Sequence, residues 1–86
     1  MARYTVRLGK RTAQADTHQQ ASEVYTDWRE EYEARDTRIG TATVYDTHYG
    51  DPVATITPNG KVWQLGEWHP GKRPLWSPYG DGIHNR

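Results

Sequence analysis

Apolar and polar residues alternate at the start of the chain, where Tyr4, Val6 and Leu8 interleave with Arg3, Thr5 and Arg7. That is the period of a short, half-buried β-strand. Gly9 to Gln14 then reads as a polar connection. From Ala21 onward the period becomes helical: Ala21, Val24, Tyr25, Trp28 and Tyr32 fall within about 100° of arc on a helical wheel. Glu23, Asp27, Glu30, Glu31 and Glu33 occupy the opposite side. Thr17-His18-Gln19-Gln20 has the form of a capping box, in which the Thr hydroxyl accepts from the third helical N–H and Gln20 reaches back. Asp16 is the competing cap. The pattern predicts one amphipathic helix over about residues 17–35, with an aromatic stripe inward and a carboxylate row outward.

Period two then returns in Ile39-Gly40-Thr41-Ala42-Thr43-Val44-Tyr45-Asp46 and again from Val53 to Leu65. The second stretch is two alternating runs joined by Asn59-Gly60, and both residues accept the positive φ of a two-residue type I′ turn. This register pairs Ile56 with Trp63 and Ala54 with Leu65, so Ala54, Ile56, Trp63 and Leu65 share one side. Between the two stretches, His48-Tyr49-Gly50 forms a three-residue loop with Gly at the left-handed position. That loop pairs Thr47 with Asp51, Val44 with Ala54 and Ala42 with Ile56. Two independently read turns therefore agree on one apolar face, which the helix stripe covers and where Trp63 should meet Trp28. The other face carries Thr41, Thr43, Tyr45, Thr55, Thr57 and Gln64, and threonine suits an exposed strand surface.

Beyond Gly66 the periodicity stops. Trp68-His69-Pro70-Gly71-Lys72-Arg73-Pro74-Leu75-Trp76-Ser77-Pro78-Tyr79-Gly80-Asp81-Gly82 is too rich in Pro and Gly for a helix or a regular ladder. Its aromatic content predicts packing across the domain or against another chain. The expected architecture is α+β: one helix packed on a mostly antiparallel sheet of about four strands, in the order β-α-β-β-β, over residues 1–66. An irregular aromatic extension occupies residues 67–86.

Composition narrows the function classes. The chain has 86 residues, so only about 60 to 65 percent of its unfolded surface is buried on folding and the core is small. Four Trp and six Tyr, with no Phe, supply both core and contact surface. The absence of Cys excludes disulfides, thiolate metal sites and thiol nucleophiles. No apolar run approaches the roughly 18 residues of a membrane span, and no signal-peptide pattern opens the chain. A cytoplasmic protein is expected. The net charge of zero is unevenly spread: Arg3, Arg7, Lys10 and Arg11 stand together without an acid, whereas residues 16–36 hold seven acids against Arg29 and Arg35. A chain-wide basic footprint for duplex nucleic acid is missing.

Catalytic signatures are also missing. His18, His48, His69 and His84 share no metal-ligand spacing, and Ser22 and Ser77 have no nucleophile context. Asp46 and Asp51 flank the Gly50 turn without the ligand series of a calcium loop. No glycine loop lies between a strand and a helix to cradle a phosphate. Neither an enzymatic activity nor a cofactor is expected. Two surfaces can bind a partner. The helix row Glu23, Asp27, Glu30 and Glu31 either serves as a solvated face or imitates a polyanion for a basic groove. The tail interleaves Trp68, Trp76 and Tyr79 with Lys72 and Arg73, a combination that either packs on the core or stacks bases while neutralising phosphates.

The segment Asp16-Thr17-His18-Gln19-Gln20-Ala21-Ser22 opens the helix, and Val53-Ala54-Thr55-Ile56 leads through Asn59-Gly60-Lys61-Val62-Trp63. Over about residues 3–65, this combination resembles small accessory proteins encoded by phages, plasmids and other mobile elements. The resemblance implies a binding inhibitor of host defence, a class that includes anti-CRISPR proteins. Its partner would be a host protein or ribonucleoprotein complex, with a homodimer as a further expectation. The alternative is a small nucleic-acid-binding or regulatory module using the basic first strand and the tail.

Overall fold

Residues 2–67 and 69–83 are described by the structure, a computed structural model. Two strands precede the helix, β1 (Tyr4–Leu8) and β2 (Arg11–Ala15). Helix α1 (His18–Ala34) follows, and then β3 (Ala42–Asp46), β4 (Pro52–Ile56) and β5 (Val62–Gln64). All neighbouring strands are antiparallel, in the order β2-β1-β3-β4-β5. The class is α+β as expected, but the sheet has five strands rather than about four, and the chain order is β-β-α-β-β-β. The additional strand is β2, in the stretch read as a polar connection. Gly9 has a φ of 60° while Lys10 stays at negative φ, the pattern of a type II′ turn that closes Leu8 on Arg11. The inward residues of β2 are Arg11, Ala13 and Ala15. Two alanines and an arginine carry too little apolar contrast to register as an alternation.

The helix begins and ends for identifiable reasons. Thr17 is the N-cap, its hydroxyl accepting from Gln20 N–H at 3.1 Å. The Gln20 side chain reaches back to the Asp16 N–H at 2.8 Å, while the Asp16 carboxylate accepts from Arg3 N–H rather than from the helix, so Thr17 and not Asp16 is the cap. At the other end Thr37 N–H bonds to Tyr32 O and Asp36 N–H to Glu33 O, a Schellman closure with Asp36 at a left-handed φ of 53°. Ala21, Ser22, Tyr25 and Trp28 are buried, with Val24 and Tyr32 half-buried beside them. They pack against Val6, Ala42, Val44, Ala54, Ile56 and Val62 of the sheet.

The β3–β4 register matches expectation where it matters for the core: Ala42 pairs with Ile56 and Val44 with Ala54. A bulge then shifts Tyr45 opposite Pro52. Gly50 takes the expected positive φ, and Asp46 Oδ1 accepts from His48 and Tyr49 N–H.

The β4–β5 register differs by one residue. Ile56 pairs with Val62, not Trp63, and Thr55 pairs with Trp63. Val62 is therefore the buried residue, Trp63 lies on the face away from the helix and does not meet Trp28, and Leu65 is 41% exposed. The cause is Pro58. Its fixed φ suits the first corner of a type I turn, and Gly60 N–H closes that turn on Thr57 O at 2.8 Å. Gly60 follows at a φ of 84°, making a three-residue loop in which Thr57 N–H bonds to Lys61 O. One added loop residue exchanges the two faces of β5.

Residues 69–83 return to the outer edge of β5. Val62 N–H donates to Trp76 O, and Val62 O accepts from Leu75 N–H at 2.7 Å. Leu75 and Trp76 pack against the core, and Pro74, Ser77 and Gly82 are buried. Asp81 accepts from Lys61 Nζ at 2.8 Å, which with Ser77 holds its carboxyl below the usual carboxylate range.

A Cβ on Gly82 would lie 2.7 Å from Ser77 N and Trp76 Cα, both backbone atoms that cannot swing aside. Gly82→Ala should therefore detach the tail from β5, read as a lower urea midpoint together with faster amide exchange at Val62. A second expectation concerns Tyr25, whose buried hydroxyl donates to Gly40 O at 2.7 Å. Burial raises its pKa above 10.0, against a smaller opposing effect of Arg29. The folded state thus favours the neutral phenol. Its contribution to stability is complete below pH 10 and is lost as the pH climbs toward the folded value. Tyr25→Phe should cost about 1 kcal/mol at neutral pH and flatten the stability loss above pH 10 relative to the parent, as urea melts across that range will show.

Candidate functional site

The carboxylates of the helix are not equivalent. Glu31 is paired with Arg11, which reaches from β2 and lies 5.1 Å over the Trp28 ring. Glu33 is near Arg29, whose guanidinium also donates to Pro58 O at 2.7 Å. Glu23 accepts from the Gln19 amide. Asp27 and Glu30 are exposed and have no ion pair or side-chain hydrogen bond to a described residue. At 1.5 Å of rise per residue, Glu23, Asp27 and Glu30 stand about 6 and about 4.5 Å apart along the axis. The structure thus leaves three of the four expected acidic residues as one outward ridge and removes Glu31 into an internal pair.

The tail residues are dispersed. Trp68 lies outside the described residues. Lys72 is half-buried, and its ammonium donates to the carbonyls of Gln64, Gly66 and Glu67 at 3.0 to 3.4 Å. It closes the end of β5, an internal role. Arg73 is exposed and reaches Asp81 O at 3.5 Å. Trp76 lines a cleft of about 440 Å³ beside Tyr4 and His18, whose rings stack 5.2 Å apart. Lys72 faces a different cleft, of about 350 Å³, lined by Thr55, Thr57, Trp63 and Leu65. Tyr79 is 70% exposed, with Lys61 Nζ 5.7 Å from its ring centre.

A third surface was missed in part by sequence reasoning. The face of the sheet away from α1 aligns Thr12, Arg7, Thr43, Thr55 and Trp63 in one cross-strand row, with Gln14, Thr5 and Tyr45 in the next. Hydroxyls knit it together: Thr5 meets Thr47 at 3.0 Å, and Trp63 Nε1 donates to Thr57 at 3.0 Å. No acid stands among these residues. Its threonines follow from alternation, whereas Trp63 joins them only because the loop has three residues rather than the two that Asn59-Gly60 alone predicts.

Ser22 donates its hydroxyl to Gly60 O at 2.6 Å in the interior, and the His48 ring sits edge-on to Tyr49. Among the described residues no group of three His, Asp or Glu gathers as a metal site, and no helix is long and apolar enough to cross a membrane. The chain matches no protein-family model, no curated protein and no solved structure. What the geometry defines is an α+β domain with an outward acidic ridge on α1 and an acid-free sheet face, and its buried Trp76 Nε1 has no hydrogen-bond partner among the described residues.

The different duties of the two adjacent tail cations are measurable. Lys72→Ala should lower stability by about 1 kcal/mol, because three carbonyls lose a charged donor. Arg73→Ala should stay within about 0.5 kcal/mol of the parent, as surface changes do. Urea denaturation of the two variants provides the comparison.

Proposed function

We propose that this protein is a non-catalytic binding protein of mobile-element origin that inhibits a host defence complex of the CRISPR type by covering its surface. The observation that carries this reading is the outer ridge of α1, where Glu23, Asp27 and Glu30 are held on a rigid helix without a neutralising cation from the described residues. Arg11 of β2 and Arg29 of the helix are committed to Glu31 and to Glu33 and Pro58. A preorganised row of uncompensated carboxylates complements a basic groove of the kind that holds nucleic acid.

A second reading is favoured by the open sheet face, where Arg7, Tyr45 and Trp63 stand among hydroxyls with no acid. Aromatic rings beside a cation suit a single-stranded nucleic acid. Bare nucleic acid separates the two. An inhibitor of the first kind does not bind it, whereas a nucleic-acid module binds with affinity falling steeply as salt rises.

The test uses purified CRISPR effector complexes and the triple reversal E23K/D27K/E30K, with circular dichroism to follow the helix. Wild type should bind, and the reversal should weaken binding by at least about 100-fold, since like charges at a complementary interface cost several kcal/mol. Glu31 is left unchanged because its reversal would break the Arg11 pair. Equal binding by the folded variant would remove the helix ridge as the contact surface, and failure of wild type to bind any effector complex would remove that partner class.

A further inference from the structure

The two terminal strands of the sheet are finished differently. On the outer side of β5, Val62 is bonded by Leu75 and Trp76 and the Gln64 carbonyl by Lys72. On the outer side of β2 no strand among the described residues is paired. An open edge of this kind is a template for another strand.

The direction of its free groups follows from the register. Thr47 N–H donates to Arg3 O, so Arg3, Thr5 and Arg7 turn their backbone groups toward β3. Tyr4, Val6 and Leu8 then turn theirs toward Ala15, Ala13 and Arg11 of β2. Thr12 and Gln14 are left with N–H and C=O pointing outward.

We propose that β2 pairs through this edge with β2 of a second copy of the chain, antiparallel about a two-fold axis at Ala13, giving a continuous ten-stranded sheet. The phase is correct for that axis. Ala13 faces its own copy as a non-hydrogen-bonded pair, the closer kind, where a methyl group fits. Thr12 and Gln14 of the second copy exchange both backbone bonds, twice over by symmetry. All five residues of the strand are used, and Arg11 falls opposite Ala15. The flanking charges agree: the same register sets Lys10 beside Asp16 of the second copy, one such pair at each end of the interface. An axis at Thr12 would set Lys10 beside Gln14 and lose both pairs. Arg11 does not obstruct the approach, because it lies over Trp28 and is paired with Glu31. Half-buried Val24 and Ala13 add apolar surface near the axis.

Sedimentation velocity of the full chain from micromolar to millimolar concentration should show a monomer–dimer equilibrium, with Thr12 and Gln14 amides gaining exchange protection as concentration rises. Thr12→Pro removes an outward N–H that β1 does not use, and should weaken the dimer by at least about tenfold. Lys10→Asp should weaken it also, and K10D/D16K should restore it. A monomer throughout the range would overturn the proposal, as would a dimer in which K10D leaves the association constant unchanged. Should Thr12→Pro fail to fold, the charge exchange and the amide protection decide the matter alone.

Discussion

Gly60 holds a φ of 84° with its carbonyl taken by the Ser22 hydroxyl of the helix and Pro78 of the tail packed over its Cα. Hairpin, helix and tail meet at this one backbone position. A side chain there would face a strained conformation, and its Cβ would meet Ser22 Oγ and Pro78 Cγ at 3.5 Å. Because Pro58 and Gly60 together make a three-residue loop, Val62 rather than Trp63 turns inward, and the outward backbone groups of Val62 are free to receive Leu75 and Trp76. The tail is then locked by Lys61 to Asp81 and by the close approach of Gly82 to Trp76. In so small a domain the buried area leaves little stability to spare, so the tail's contacts matter to the whole fold.

The parts of the fold legible in the sequence are those where side-chain contrast is large. The Tyr25 and Trp28 stripe against the Glu23, Asp27 and Glu30 row leaves no doubt about a helix face, and Thr17 with Gln20 marks its start. The β3–β4 core pairs followed from a loop whose Gly50 requirement is local. β2 was hidden because its inward residues are two alanines and an arginine, and an arginine lying over an aromatic ring behaves as an apolar cover with a charged tip. The β5 register was hidden for another reason. Asn-Gly is compatible with both a two-residue and a three-residue loop, and the deciding residue is Pro58 before it, whose fixed φ favours the type I corner. One residue of slip then moved Trp63 from the expected core to the open face.

The candidate surfaces show a similar division. Periodicity placed Glu23, Asp27, Glu30 and Glu31 on one side of the helix, but it carried no information about which would be neutralised. That depends on Arg11 arriving from a strand that periodicity did not reveal. The tail's cations and rings looked alike in sequence because proximity along the chain is not proximity in space. Lys72 is drawn under the carbonyls that end β5, whereas Trp76 bridges Val62 and lines a different cleft.

Arg11 also links the two halves of the surface argument. By covering Trp28 and pairing with Glu31, it takes one carboxylate out of the helix row and leaves Glu23, Asp27 and Glu30 as the outward ridge. Were Arg11 absent, Glu31 would stand as a fourth unpaired carboxylate of the helix row. In the proposed pairing Lys10 and Asp16 of the two copies stand opposite one another, opposite in sign and symmetrically placed. The same cation therefore shapes the acidic ridge and, folded onto Trp28 and Glu31, leaves the strand edge clear for the proposed second copy.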